Sequence, residues 1–113
     1  MELQYSQMEN GVRLIKLIGS LDSAGFNSID PKFTAYCSGD KVRVLVDLSR
    51  VDFLTSIGIR MLTMNARSLF TRGGRMVLFN PIEDVRNVLE MTSIHTIIPM
   101  YDNYESAETV LLA

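Results

Sequence analysis

The sequence is short of most residues that carry chemistry. Its 113 residues include one cysteine, one histidine and no tryptophan. With Cys37 alone, no intrachain disulfide can form and no thiolate cluster can hold a metal. His95 is the only imidazole available as a base. Charge of one sign is also lacking: 11 basic residues face 13 acidic ones, a net charge of −2. That balance gives no basic footprint for nucleic acid. No apolar run approaches the roughly 18 residues that a membrane span needs. The opening, "MELQYSQ", lacks the basic and apolar regions of a secretory signal. There are no repeats, no low-complexity tracts and no linker. These absences lead us to expect a cytoplasmic, reduced protein without nucleic-acid, membrane, metal or cofactor business.

What is present is ordinary globular material: 47% hydrophobic and 21% charged residues. The length suits one domain, residues 1–113, with one real core. Asn10-Gly11 separates two apolar-rich runs, Leu3–Met8 and Val12–Ile18. That dipeptide predicts an antiparallel hairpin with a type I′ turn. Phe26, Ile29, Phe33 and Tyr36 recur at helical spacing. Pro31 suits a first helical position after an Asp30 cap, so a short or broken helix ending before Gly39 is expected.

"VRVLVDL", Val42–Leu48, is almost continuously apolar and β-branched, as a central strand buried on both faces would be. A helix over Ile57–Arg72 follows, ended by Gly73-Gly74. "RMVLF", Arg75–Phe79, is a second buried strand. Pro81 opens a helix with Ile82, Val85, Val88 and Leu89 on one face. "TIIPMY" is a short last strand that Pro99 places at a sheet edge, and "YESAETVLL" is a closing helix. The order β-β-α-β-α-β-α-β-α predicts an α/β fold. Its mixed, mostly parallel sheet has about five strands, and its crossovers are right-handed.

The junction "DFLTSIGIR", Asp52–Arg60, holds the chemistry. Ligand and partner sites in open α/β sheets lie where a strand's carboxyl end turns into a helix. Ser56 stands there with three readings. It is a helix N-cap, worth about 1 kcal/mol; or a nucleophile; or a modification switch. The nucleophile reading fits poorly. A hydrolase elbow needs Gly-x-Ser-x-Gly. Leu54 stands where the first glycine belongs, and only Gly58 is in place. His95 has no acid near it in sequence. The switch reading rests on the helix start, whose free N–H groups and partial positive charge tolerate a phosphate.

The following helix carries two apolar stripes. Ile59, Leu62, Ala66, Leu69 and Phe70 form the face expected to cover the sheet. Ile57, Met61 and Met64 fall opposite, either under a neighbouring helix or as an exposed contact patch suited to methionine. Arg67, Arg72 and Arg75 read as solvated charge complementing the helix dipole.

"VDLSRVDFLTSIGIRML" resembles the signature of STAS domains, in particular the bacterial anti-sigma factor antagonists. "GSLD", Gly19–Asp22, is similar to the end of that family's second strand. "LEMTSIHTIIPMYDNYESA" is similar to its C-terminal stretch. The resemblance implies a protein that binds an anti-sigma factor serine kinase, releasing a sigma factor. Phosphorylation of the serine at the helix start breaks the complex, and a phosphatase of the PP2C type restores it. That serine falls on Ser56, and an acidic partner-site residue falls on Asp22. Partner contacts are expected at Asp22, Thr55, Ser56, Ile57, Met61 and Met64. The pattern departs at Thr55, where an Asp is common, so Thr55 is the alternative acceptor. It departs again at Ile57, at Ser93 in place of a turn glycine, and in "FNSIDP". The other readings are a STAS scaffold without a phosphoswitch and a small serine hydrolase. On the reading adopted, the chain itself catalyses nothing.

Overall fold

A computed structural model describes all 113 residues. The elements run β1 (Glu2–Gln7), β2 (Arg13–Leu21), α1 (Ser23–Tyr36), β3 (Arg43–Leu54), α2 (Ser56–Thr71), β4 (Arg75–Phe79), α3 (Glu83–Met91), a 3₁₀ turn (Ile94–Thr96), β5 (Met100–Tyr101) and α4 (Tyr104–Leu112). One five-stranded sheet has the order β1-β2-β3-β4-β5. The first pair is antiparallel and the other three are parallel.

Strand order therefore follows chain order. With every crossover right-handed and every step in one direction, the three crossover helices must lie on one face of the sheet. They do: residues of α1, α2 and α3 share one core with Ile15, Leu17, Val44, Val46 and Leu78. The opposite face carries α4, whose Ala107 and Leu111 pack on Leu45, Val77 and Phe79. Alternate residues of the apolar run thus feed two cores, which explains why it reads as continuous. The predicted central strand is central, and it runs on through Ser49–Leu54.

Several local expectations are corrected. The hairpin turn forms at Asn10-Gly11, but only Gly11 has positive φ, so it is not type I′. Gly11 N–H donates to the Met8 carbonyl and Val12 N–H to Asn10 Oδ1, a longer loop closed by an Asx contact. Pro31 does not begin a helix after an Asp30 cap; it lies inside a continuous α1 whose N-cap is Asp22. The proline is exposed, so the Asn27 carbonyl it leaves unpaired opens toward water on α1's outer side. Ile82 is 40% exposed rather than packed with Val85 and Leu89, because it is the N-cap residue of α3 and not part of its helical face. Of Thr96–Tyr101, expected as strand, only Met100–Tyr101 form β5 at the edge, and Thr96 ends the 3₁₀ turn.

Candidate functional site

Parallel strands β2 and β3 end side by side, with Leu21 paired to Leu54. The next residue of each, Asp22 and Thr55, is the N-cap of the helix that follows. Two helix N-termini therefore open at the carboxyl edge of the sheet centre. They are built alike, "DSAG" and "TSIG", and both glycines are close approaches. A Cβ on Gly25 would lie 2.1 Å from the Ser20 carbonyl oxygen. One on Gly58 would lie 2.5 Å from Leu21 Cγ and 2.9 Å from Leu54 Cδ1. The glycine two residues after Ser56 thus lets α2 descend onto the strand ends.

The two helix starts differ in how they are satisfied. Asp22 Oδ1 accepts from Gly25 N–H at 2.8 Å, so α1 is capped by a carboxylate. Thr55 gives α2 no side-chain cap. Its hydroxyl instead donates backwards to the Leu21 carbonyl at 3.0 Å. The first main-chain bond of α2 runs from Ile59 N–H to the Thr55 carbonyl. The N–H groups of Ser56, Ile57 and Gly58 therefore have no intrahelical acceptor, and the positive end of the 16-residue helix is open.

Ser56 is the first helical residue, not the cap, which corrects the capping reading. It is exposed, and its hydroxyl makes no hydrogen bond within the chain. Arg60, one turn on, is exposed on the same side of the helix. An exposed hydroxyl, open N–H groups and a nearby cation thus lie together at the start of α2.

The apolar stripe beside it divides. Ile57 is half-buried and Met64 is 58% exposed, but Met61 is 3% exposed and belongs to the core. Its expected place in an accessible patch is corrected: α1 and α2 pack against each other on the same sheet face, and Met61 points into that seam. Phe70, expected to cover the sheet, is 78% exposed, whereas Gly58, Leu62, Ala66 and Leu69 are buried on α2. Between α1 and α2 lies a cleft of about 480 Å³ bordered by Phe26, Asp30, Ile57, Arg60 and Met64. Phe26 was read as helical packing and Arg60 passed unnoticed. The i, i+4 step from Ser56 was the available signal for Arg60. Phe53 is 57% exposed near the end of β3, on the part of the strand that lies beyond the expected end at Leu48.

His95 lies exposed on the 3₁₀ turn that leads to β5, while Ser56 follows the carboxyl end of β3. α3 runs back along the sheet between β4 and that turn, so the two residues stand at opposite ends. The one imidazole therefore does not face Ser56, and the serine–histidine nucleophile reading fails on geometry. No three His, Cys, Asp or Glu side chains converge as metal ligands. No helix is long and apolar enough to cross a membrane.

Comparison with known proteins gives a consistent picture. The family model described as STAS domain matches residues 6–107. A Bordetella bronchiseptica protein, BtrV, named as a candidate anti-sigma factor antagonist, is 29% identical over 98 residues, covering 87% of this chain and 84% of its own. The anti-sigma-factor antagonist (STAS) domain protein of Planctomyces limnophilus superposes with a TM-score of 0.86 at 21% identity, over 98% of each chain. The Bacillus cell fate determinant SpoIIAA, solved in its phosphorylated form, superposes with a TM-score of 0.73 at 22% identity, covering 99% of this chain and 100% of its own.

Proposed function

Since the chain belongs to the STAS domain family, we propose that it is an anti-sigma factor antagonist switched off by phosphorylation of Ser56. The curated relative's name supports the antagonist role, and the phosphorylated form in which SpoIIAA was solved supports the kind of switch. The observation that carries the residue assignment is the division of labour at the junction. Thr55 spends its hydroxyl on Leu21, while Ser56 keeps its own free in water.

In this reading the partner is an anti-sigma factor that is itself a serine kinase. It docks over Ser56 and the surface formed by Asp22, Thr55, Ile57 and Met64. ATP and magnesium belong to the kinase. The γ-phosphoryl group passes to Ser56 Oγ, the hydroxyl proton leaves to the kinase's base, and ADP departs. The open N–H groups of α2 and the neighbouring Arg60 accept the phosphate, so the fold survives it. The complex does not. A dianion trapped against the partner must be desolvated, and an unpaired buried charge costs several kcal/mol. Asp22 at the adjacent helix start adds repulsion. A loss of about 3–4 kcal/mol lowers affinity by two to three orders of magnitude. A phosphatase of the PP2C type resets the switch by hydrolysing the ester.

The test is calorimetry at physiological salt against the kinase-type anti-sigma factor of the same genome, with phosphate incorporation followed in parallel. Ser56→Asp should lose most affinity. Ser56→Ala should bind but take no phosphate. Equal affinity of Ser56→Asp and wild type would sink the switch. Tight binding with no phosphate on either hydroxyl would mark an unmodified scaffold instead.

A further inference from the structure

Strand β3 outruns its neighbour β4. The last pair between them is Asp47 with Phe79, so Ser49–Leu54 is paired on the β2 side alone. On that projecting part the ladder is irregular. Gly19 pairs with Val51 and Ser20 with Phe53, which leaves Asp52 as an extra residue on β3, a β-bulge. The bulge decides where Phe53 goes. Strict alternation from Val51, which is buried in the core, would turn Phe53 inward and Leu54 out. Instead Leu54 is buried in that core and Phe53 is 57% exposed. Ser20 Oγ donates to Asp52 Oδ1 at 2.7 Å, tying down the extra residue.

Phe53 contributes to neither core. A bulge that holds a phenyl ring mostly in water costs the fold apolar burial. Bulges of this kind are over-represented beside functional sites, where they re-aim a side chain. Here such a site is close. Phe53 stands three positions before Ser56, so their Cα atoms are at most about 11 Å apart. Its strand partner Ser20 stands two positions before Asp22. The ring therefore lies at the carboxyl edge where the two helix starts open. Any partner that reaches Ser56 Oγ covers a patch around it. A standard footprint of about 800 Å² per partner, centred on Ser56, has a radius of roughly 16 Å and takes in Phe53.

We propose that Phe53 is an anchor for the anti-sigma factor kinase, held out by the bulge at Asp52 and received in an apolar recess of the partner beside its active site. This rests on the function proposed above and adds to it a contact outside the phosphorylated residue. Aromatic side chains are enriched at the buried centre of interfaces, because a ring buries much apolar area in one piece. Switch and anchor then do different work. Ser56 decides by its charge whether the complex persists. Phe53 supplies affinity before and during phosphate transfer alike, so it sets KM for the reaction at Ser56 and leaves kcat alone.

The test is calorimetry against the kinase-type anti-sigma factor of the same genome, with phosphate transfer to Ser56 followed in parallel. Phe53→Ala should keep the wild-type melting temperature, because the ring is exposed. It should bind at least about tenfold more weakly, and its KM as a kinase substrate should rise at unchanged kcat. Phe53→Tyr, which keeps the ring, should bind like wild type. Phe70→Ala is the control. That ring is 78% exposed but fourteen positions along α2 from Ser56, roughly 20 Å at 1.5 Å per residue, so its loss should leave binding unchanged. Equal affinity of Phe53→Ala and wild type, with Ser56 still phosphorylated, would overturn the anchor and leave the switch standing. A lowered melting temperature would show that the ring serves the fold. Equal losses from Phe53→Ala and Phe70→Ala would show a general effect of lost apolar surface. Either result overturns the proposal. A wild-type chain that neither binds the kinase nor takes phosphate would overturn switch and anchor together.

Discussion

The carbonyl oxygen of Leu21 accepts two hydrogen bonds from Thr55, from its amide at 3.1 Å and from its hydroxyl at 3.0 Å. This pins the start of α2 to the end of β2 and engages the proton of one of two adjacent hydroxyls. Ser56 is therefore the expected phosphate acceptor. Thr55→Val should keep phosphorylation on Ser56 and cost about 1 kcal/mol of stability, the worth of one hydrogen bond. Ser56→Ala should cost less than about 0.5 kcal/mol, since its hydroxyl bonds nothing. Phosphopeptide mass spectrometry and urea unfolding check both; phosphate on Thr55 in the wild type would refute the assignment.

The two methionines of the stripe should part company. Met64→Lys should leave unfolding free energy within about 0.5 kcal/mol of wild type and weaken kinase binding. Met61→Lys should destabilise by about 3 kcal/mol or more, because an ammonium replaces core volume between α1 and α2. Denaturant midpoints of the two variants, taken side by side, settle the matter.

The twin glycines test the close approaches. Gly25→Ala should be the worse change, since its Cβ would meet a main-chain oxygen at 2.1 Å, which cannot move without shifting β2. At Gly58 the obstacle is the Leu21 and Leu54 side chains. Leu21 is wholly buried, so overpacking should outweigh alanine's gain in helix propensity, for a net loss of about 1–3 kcal/mol. Calorimetric melting temperatures in the order wild type, Gly58→Ala, Gly25→Ala, from high to low, are expected.

Ser93 holds φ at +58° before the 3₁₀ turn. A side chain is strained there by about 1–2 kcal/mol, and glycine is not. Allowing for the entropy glycine adds to the unfolded chain, Ser93→Gly should stabilise by about 0.5–1 kcal/mol. A thermal scan reads this directly, and a lowered melting temperature would contradict it.

Burial pushes the Cys37 thiol up to about 12, only partly offset by the nearby Arg13 and Arg72 guanidinium groups. Folded, it stays protonated where an unfolded thiol ionises. The unfolded state therefore binds fewer protons above about pH 9, and this contribution to stability falls as pH rises from there toward 12. Native protein at pH 8.5 should resist iodoacetamide, and protein in denaturant should react at once. Rapid labelling of the native chain would show the thiol to be accessible.

Legibility in the sequence followed the range of the interaction. Val42–Leu48 reads as a central strand because two cores draw on alternate residues of its Val44–Leu48 part. The glycine expected by the family pattern at Ser93 matched a backbone that takes left-handed φ. The cap was misread by one residue because Thr55 and Ser56 are equally good caps locally. What separates them is an acceptor 34 positions away. Met61 and Phe70 were exchanged between core and surface for a related reason. Periodicity shows which residues share a face, but not which flank a neighbouring helix covers. Pro31 misled because a helix exposed on that side can tolerate a lost bond.

The agreement of strand order with chain order also bears on how the molecule assembles during synthesis. Each strand finds its partner in the strand made just before it, so no pairing waits for a distant segment. After β3 leaves the ribosome, its far edge stays open until β4 emerges some twenty residues later. In that interval the strand that ends at the centre of the sheet is half paired. α2, seated through Gly58, is the segment made in that interval, and it packs on the same sheet face as α1. The helix that carries the proposed switch in the finished protein is thus also the segment that must form before β3 gains its second neighbour.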